Sequence, residues 1–151
     1  MEFTKRYNLN RGYMKLEVWQ DGIQLFRLIN KIISEIPKLD FKSKAQILDA
    51  AQSISSNIAE GYCRKSINEY LYFLNVALGS CGEFLTRTIG LKAAELISSY
   101  NFEEIDKLHY VVENKLLALI KALELKRSDG TWDQQIHEAP ETYNSRPKDE
   151  L

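Results

Sequence analysis

The chain contains little cysteine, proline or histidine. Of its 151 residues, two are cysteine, three are proline and two are histidine. Cys63 and Cys81 are too few for the disulfide framework of a small secreted domain, and they do not form a C-x-x-C pair. Neither His109 nor His137 has a second histidine or a cysteine at the spacing of a zinc site. We therefore expect no metal and no cofactor.

Long hydrophobic runs are also missing. No apolar run approaches the roughly 18 residues that a membrane span requires. Residues 1–6, M-E-F-T-K-R, lack the apolar stretch of a secretory signal. These features predict a cytoplasmic protein without a membrane association, and the length is that of one domain with a core of its own.

The charge of the chain has no basic surplus. The net charge is -1, and residues 17–127 hold fourteen bases and fourteen acids. Residues 1–16 hold four bases and one acid, whereas residues 128–151 hold six acids and two bases. A nucleic-acid-binding domain usually carries a basic excess, so this balance disfavours a general nucleic-acid-binding role.

Apolar residues recur at steps of three and four in four segments, which predicts four amphipathic helices. Short connections between them favour an all-α fold, an antiparallel up-down-up-down four-helix bundle over residues 16–127. An N-terminal arm, residues 1–15, precedes the bundle, and an acidic tail, residues 128–151, follows it. We expect this tail to be disordered by itself. The predicted stripes are Trp19, Gly22, Phe26, Ile29, Ile33 and Ile36; Ile47, Ala50, Ala51, Ile54 and Ile58; Tyr70, Leu74, Ala77, Cys81, Phe84 and Thr88; and Ile105, Leu108, Val112, Leu116, Leu119 and Leu123.

The residue types near the helix ends predict where the helices begin and end. Pro37 ends the first helix, and Gly61 ends the second in a left-handed conformation. Ser43, Ser66 and Asn101 are the predicted N-caps of the second, third and fourth helices, and Ser66 begins a capping box.

Three other positions carry expectations of their own. Gly79 and Gly82 lie inside the third helix, where each costs about 1 kcal/mol relative to alanine. We expect them to allow a close helix approach or a bend. Trp132 is a large apolar residue of the tail that could attach it to the bundle or to a neighbouring subunit.

Three aromatic residues crowd the start of the third helix. Tyr70, Tyr72 and Phe73 occupy three of four consecutive positions. They cannot all face one core, so at least one must point outward, as aromatic residues do at subunit interfaces. This pattern predicts a homo-oligomer that uses these residues.

A nine-residue segment carries a family resemblance. Residues 53–61 read S-I-S-S-N-I-A-E-G, which resembles the S-I-x-x-N-I-A-E-G signature of four-helix-bundle proteins encoded in intervening sequences of bacterial 23S rRNA genes. Residues 16–20, L-E-V-W-Q, and residues 77–80, A-L-G-S, match in order and spacing, and Glu83 stands where that family has a glutamate. The resemblance covers about residues 14–125.

The resemblance implies a small bundle that assembles into a homopentameric ring and has no established activity. A related branch, the accessory variability determinant of diversity-generating retroelements, partners a reverse transcriptase and binds nucleic acid through a basic surface. This sequence departs from the family pattern in one place. Residues 46–50 read Q-I-L-D-A, so Asp49 replaces the arginine of the common Q-x-x-R-A, which weakens the case for RNA or DNA binding.

The polar residues of the signature have two interpretations. One is a contact with a ligand or a partner. The other, which we favour, is a polar network that holds the second helix, with Glu60 paired to Arg64 or Lys65. The residues concerned are Ser53, Asn57, Glu60 and Gly61.

Arg64 and Lys65 are also the candidate nucleic-acid contacts. They lie beside Tyr62 and just before the N-terminus of the third helix, whose amides could face a phosphate. The other interpretation, which we favour, is that Arg64 and Lys65 simply belong to a solvated turn.

The function we predict is that of a non-enzymatic, homo-oligomeric helical scaffold that binds other copies of itself. The alternative is an RNA- or DNA-associated accessory protein that binds phosphate through a small basic surface. A hydrolase that uses Glu60 has only a lone carboxylate in its favour.

Overall fold

The computed structural model describes residues 9–132, and within that range the chain is helical with no β-strand. A 3-10 helix, Leu9–Lys15, leads into four α-helices. This confirms the all-α prediction; residues 1–8 and the tail beyond Trp132, with His137, lie outside the described residues. No helix within residues 9–132 is long and apolar enough to cross a bilayer. The helices are α1, Glu17–Ser34; α2, Phe41–Tyr62; α3, Ile67–Ala93; and α4, Ser99–Asp129.

Successive helices pack side by side, and α4 closes the arrangement by packing against α1. On α2 and α3 the paired residue numbers run in opposite directions. Gln46 contacts Arg87, and further along α2 Ser53 contacts Ser80. The two helices are therefore antiparallel, as the short connections predict.

The apolar stripes predicted from the sequence form one core. Its largest fully buried side chains include Leu25, Ile54, Leu74, Phe84 and Leu116, which come from all four helices. Burial of such side chains is the main stabilising contribution in a bundle, since short helices are marginal by themselves.

One histidine lies inside this core. His109 on α4 is 2% exposed, and its Nε2 donates to the backbone oxygen of Cys81 on α3 at 2.8 Å. Its ring stacks on Phe84, with centroids 6.2 Å apart. A buried polar group is tolerated when it is hydrogen-bonded, and His109 thereby links α3 to α4.

An ion cluster joins the outer edges of α1 and α4. Lys115 Nζ lies 2.7 Å from Asp21 and 3.0 Å from Glu17. Hydrogen bonds to Asp21 and then to Glu17 raise the pKa of the Lys115 amine above its usual value. The cluster favours this pairing of the two helices, although exposed ion pairs stabilise a fold only weakly.

Two predicted N-caps are wrong by three residues. The cap of α2 is Asp40, whose carboxylate accepts from the amide and the hydroxyl of Ser43. These hydrogen bonds, the hydroxyl first, lower the pKa of Asp40. The cap of α4 is Ser98, which accepts from the amide of Asn101. Ser66 caps α3 as predicted.

The glycine predictions also need correction. Gly61 does not end α2 in a left-handed conformation, because the helix continues through it to Tyr62. Gly130 is the glycine of the described residues with a positive φ, and it caps α4 three residues beyond the predicted boundary. Gly79 and Gly82 are exposed, and no atom lies within 4 Å of a Cβ built on either. Within a single chain they therefore do not serve a close approach.

Glu95, just after α3, has a φ of 59°, the left-handed region that is unfavourable for residues with a Cβ. We predict that Glu95→Gly raises the free energy of unfolding by about 0.5–1 kcal/mol, because glycine adopts this conformation without the steric penalty. Glu35 also follows a helix but has a φ of -91°. Glu35→Gly is therefore the matched control, and urea unfolding should show no gain for it.

Candidate functional site on the α2–α3 pair

The signature segment, residues 53–61, lies on α2 where that helix comes closest to α3. A Cβ built on Gly61 would lie 2.9 Å from Cβ of Phe73 and 3.1 Å from the backbone oxygen of Tyr70. Real Cβ atoms essentially never approach another atom that closely. Gly61 is therefore needed because it lets the two helices approach, and not because it ends a helix.

A directed series of hydrogen bonds crosses from α2 to α3. The side-chain amide of Asn57 donates to Ser53, to its backbone oxygen at 2.7 Å and to its hydroxyl at 2.9 Å. The hydroxyls of Ser53 and Ser80 are 2.9 Å apart, and Ser80 donates to the backbone oxygen of Val76 at 3.1 Å. Since Ser80 uses its proton on Val76, Ser53 must donate to Ser80. Each hydroxyl in the series thus donates once and accepts once.

The last polar residue of the signature, Glu60, forms an ion pair on the surface. Its carboxylate lies 2.8 Å from the guanidinium of Arg64, as expected. Arg64 also lies 3.8 Å from Glu69 and packs over the ring of Phe73, 4.8 Å from its centroid. Two carboxylates share this one guanidinium, so Arg64 adds no positive excess to the surface.

The other candidate nucleic-acid contact does not join this cluster. Lys65 is exposed and forms an ion pair with neither Glu60 nor Glu69. Asp49 is exposed on the same helix as the signature, so the charge reversal lies at the surface.

The three crowded aromatic residues separate into two groups. Tyr70 is 3% exposed and belongs to the core, so it does not contribute to an outward surface. Tyr72 is 64% exposed and packs edge-on against Phe73, with ring centroids 5.2 Å apart. The side chains of this trio that can reach another protein are therefore those of Tyr72 and, in part, Phe73.

An aromatic series closes the end of the bundle where α2 gives way to α3. Centroid distances between neighbours are 5.5 to 6.1 Å, within the range for favourable edge and tilted contacts. The last member, Trp132, packs against Tyr70 and so attaches the start of the tail to the bundle. This confirms the first of the two expectations for Trp132. No single stretch of sequence reveals this series, because its members come from distant segments. In order of contact they are Trp19, Tyr13, Tyr62, Tyr70 and Trp132.

Burial at this end changes the acidity of several groups. Desolvation raises the pKa of the Tyr70 phenol and, to a lesser extent, of the Tyr62 phenol and the Cys63 thiol. In the core, burial raises the pKa of the Cys81 thiol to about 12. A thiol must lose its proton to act as a nucleophile, so these two cysteines lack the activation that catalysis requires.

A shallow depression of about 150 Å³ lies at the other end of the α2–α3 pair. Its most prominent polar group, the guanidinium of Arg87, donates to Glu83 through two nitrogens and to Gln46 through a third. The depression is lined by Ser43, Gln46, Ile47, Arg87, Gly90 and Leu91.

The comparisons agree with the fold and the signature. The helices and their order define a class, the antiparallel four-helix bundle of the all-α proteins. Within that class, the family described as 23S rRNA-intervening sequence protein matches residues 14–118. The chain belongs to this family.

A solved structure shares the architecture. It is a protein of unknown function from the S23 ribosomal protein family of Bacteroides thetaiotaomicron, 24% identical, with a TM-score of 0.63. The match covers 69% of this chain and 98% of that one, and the likeness concerns the fold. No curated protein sequence matches the chain.

The raised pKa of the Tyr70 phenol makes the stability of the fold sensitive to alkaline pH. A group whose pKa is raised by folding stabilises the fold below its unfolded pKa, near 10 for tyrosine, and loses that contribution as the pH rises. Above pH 10 the unfolding free energy of the unmodified chain should therefore fall as the pH rises. We predict that Tyr70→Phe makes this slope shallower by up to about 1.4 kcal/mol per pH unit.

Tyr110→Phe is the matched control, because the Tyr110 side chain is largely exposed and lies on α4. Denaturant unfolding at several pH values should give Tyr110→Phe the slope of the unmodified chain. Equal slopes for all three proteins would contradict the assignment to Tyr70.

Proposed function

We propose that the chain is a non-enzymatic cytoplasmic protein that acts as a helical scaffold by assembling with copies of itself. The polar residues of the signature support the non-enzymatic part. Ser53 and Asn57 use their hydrogen-bonding groups between α2 and α3, and Glu60 is paired with Arg64. These contacts connect the groups to one another within the bundle, which supports a structural role for them.

The self-association part rests on one observation, the outer face of α3. This face is nearly uncharged, and Glu83 is the acid on it. Tyr72 and Ile89 expose 64% and 49% of their surface. Small residues between them leave room for another helix to pack closely. The outer α3 face consists of Tyr72, Val76, Gly79, Gly82, Glu83, Thr86, Ile89 and Gly90, all of them exposed.

This face also gives Gly79 and Gly82 a use. Each mid-helix glycine lowers helix stability, and neither packs against the chain's own atoms. A second copy against the face would make use of the space they leave. The family resemblance suggests five copies in a ring, and we include that number in the proposal.

The alternative of a nucleic-acid-binding accessory protein has less support. It depends on Arg64, Lys65 and the basic N-terminal arm, of which residues 1–8 lie outside the described residues, and Arg64 is shared by Glu60 and Glu69. Phosphate binding would have to break or compete with these ion pairs, and one exposed lysine adds little affinity.

We predict that Ile89→Glu weakens self-association about a hundredfold, because a carboxylate would be buried at the interface without a partner. Sedimentation equilibrium at micromolar concentration should give the mass of one chain for this variant and a multiple of it for the unmodified protein. The far-ultraviolet circular dichroism should be unchanged, since Ile89 is half exposed.

Gln52→Glu adds the same charge to an exposed position on α2, away from the outer α3 face. It is the matched control and should keep the mass of the unmodified assembly. An unmodified protein that sediments as a single chain would contradict the proposal, as would an Ile89→Glu variant that assembles normally.

A further inference from the structure

Phe41 is the most exposed large apolar side chain of residues 11–132, with 86% of its surface accessible. It is the first residue of α2, and the Asp40 carboxylate that accepts from Ser43 fixes the backbone on its N-terminal side. The ring therefore projects from a well-defined helix start. An exposed phenylalanine on such a support is suited to insertion into another protein.

The depression at the end of the α2–α3 pair matches a phenyl ring in size. Its volume is about 150 Å³, and it is open to solvent, so a ring could enter it from outside; an enclosed apolar cavity of this volume holds benzene. Gly90 and the partly buried Leu91 supply apolar surface, Ile47 is almost fully buried at the depression, and the guanidinium of Arg87 lies beside them. A guanidinium at the edge of such a depression also favours an aromatic ring.

Phe41 does not fill the depression of its own chain. Gln46, which lines the depression, follows Phe41 by five residues, which is about 140° around a helix. The two features therefore face different directions from α2. The exposure of Phe41 agrees with this geometry.

The charges beside the two features are complementary. Phe41 lies between Asp40 and Lys42, and the depression is lined by Arg87, which is paired with Glu83 one turn earlier on α3. Three of the five guanidinium N–H groups of Arg87 bond to Glu83 and Gln46, which leaves two donors for a carboxylate. Asp40 of a second copy could meet Arg87, and Lys42 could meet Glu83.

We propose that Phe41 of one copy inserts into the depression between α2 and α3 of a second copy. The proposal rests on the self-association proposed above and names a contact for it. The depression includes Gly90, so it adjoins the outer α3 face. Because the inserted residue and the depression face different directions, the contact is head-to-tail, and its repetition joins more than two copies, in a ring if the rotation between copies closes.

The first test is Phe41→Ala, measured by sedimentation velocity across a concentration series. Loss of a buried phenyl ring should weaken self-association by roughly tenfold or more. Tyr100→Ala removes another exposed aromatic side chain from the first turn of a helix. It is the matched control and should assemble as the unmodified protein does.

The second test mixes two defective variants. Gly90→Phe places a ring at the mouth of the depression but keeps Phe41, whereas Phe41→Ala keeps the depression. Each alone should be impaired. An equimolar mixture should form 1:1 dimers, because one productive contact remains and it cannot propagate.

Three results would overturn the inference. An assembly of Phe41→Ala as tight as that of the unmodified protein, while Ile89→Glu dissociates, would remove this contact and leave the self-association proposal standing. A mixture without dimers would also remove it. An unmodified chain that stays monomeric would remove both proposals and leave Phe41 to a different protein partner.

Discussion

The close approach of α2 and α3 at Gly61 is the constraint on which much of the structure depends. Without a Cβ at this position, the backbone of α2 lies against Tyr70 and Phe73 of α3. That approach brings the hydroxyls of Ser53 and Ser80 within hydrogen-bonding distance further along the same pair. It also sets Tyr62 against Tyr70, and so forms the middle of the aromatic series that closes the bundle.

This arrangement gives the polar residues of the signature hydrogen-bonding partners within the bundle. Asn57, Ser53 and Ser80 satisfy one another in a fixed direction that ends on a backbone oxygen. Polar groups that are hydrogen-bonded in this way contribute more to the specificity of a helix pairing than to its stability. The surfaces that we propose for self-association are the outer α3 face and the end of the α2–α3 pair.

Periodicity was sufficient to predict the helices and the core, because every helix buries one stripe and little else determines its face. The helix starts were less predictable. Two acceptors three residues apart, such as Asp40 and Ser43, compete for the same amides, and the sequence does not say which one wins. The role of Gly61 was misread because a glycine near a helix end is equally compatible with a left-handed cap and with close packing. The aromatic series depends on tertiary contacts, which no local pattern contains.

The most direct measurement of the central constraint is the stability of Gly61→Ala beside that of Gly79→Ala. Alanine normally stabilises a helix interior by about 1 kcal/mol relative to glycine, and Gly79 has open space around it. We expect Gly79→Ala to unfold at a higher urea concentration than its parent chain when both also carry Ile89→Glu, which keeps a second copy away from Gly79. Gly61→Ala should instead lose about 1–3 kcal/mol, because the methyl group must push α2 and α3 apart. A gain in stability for Gly61→Ala, with unchanged helicity, would contradict the account.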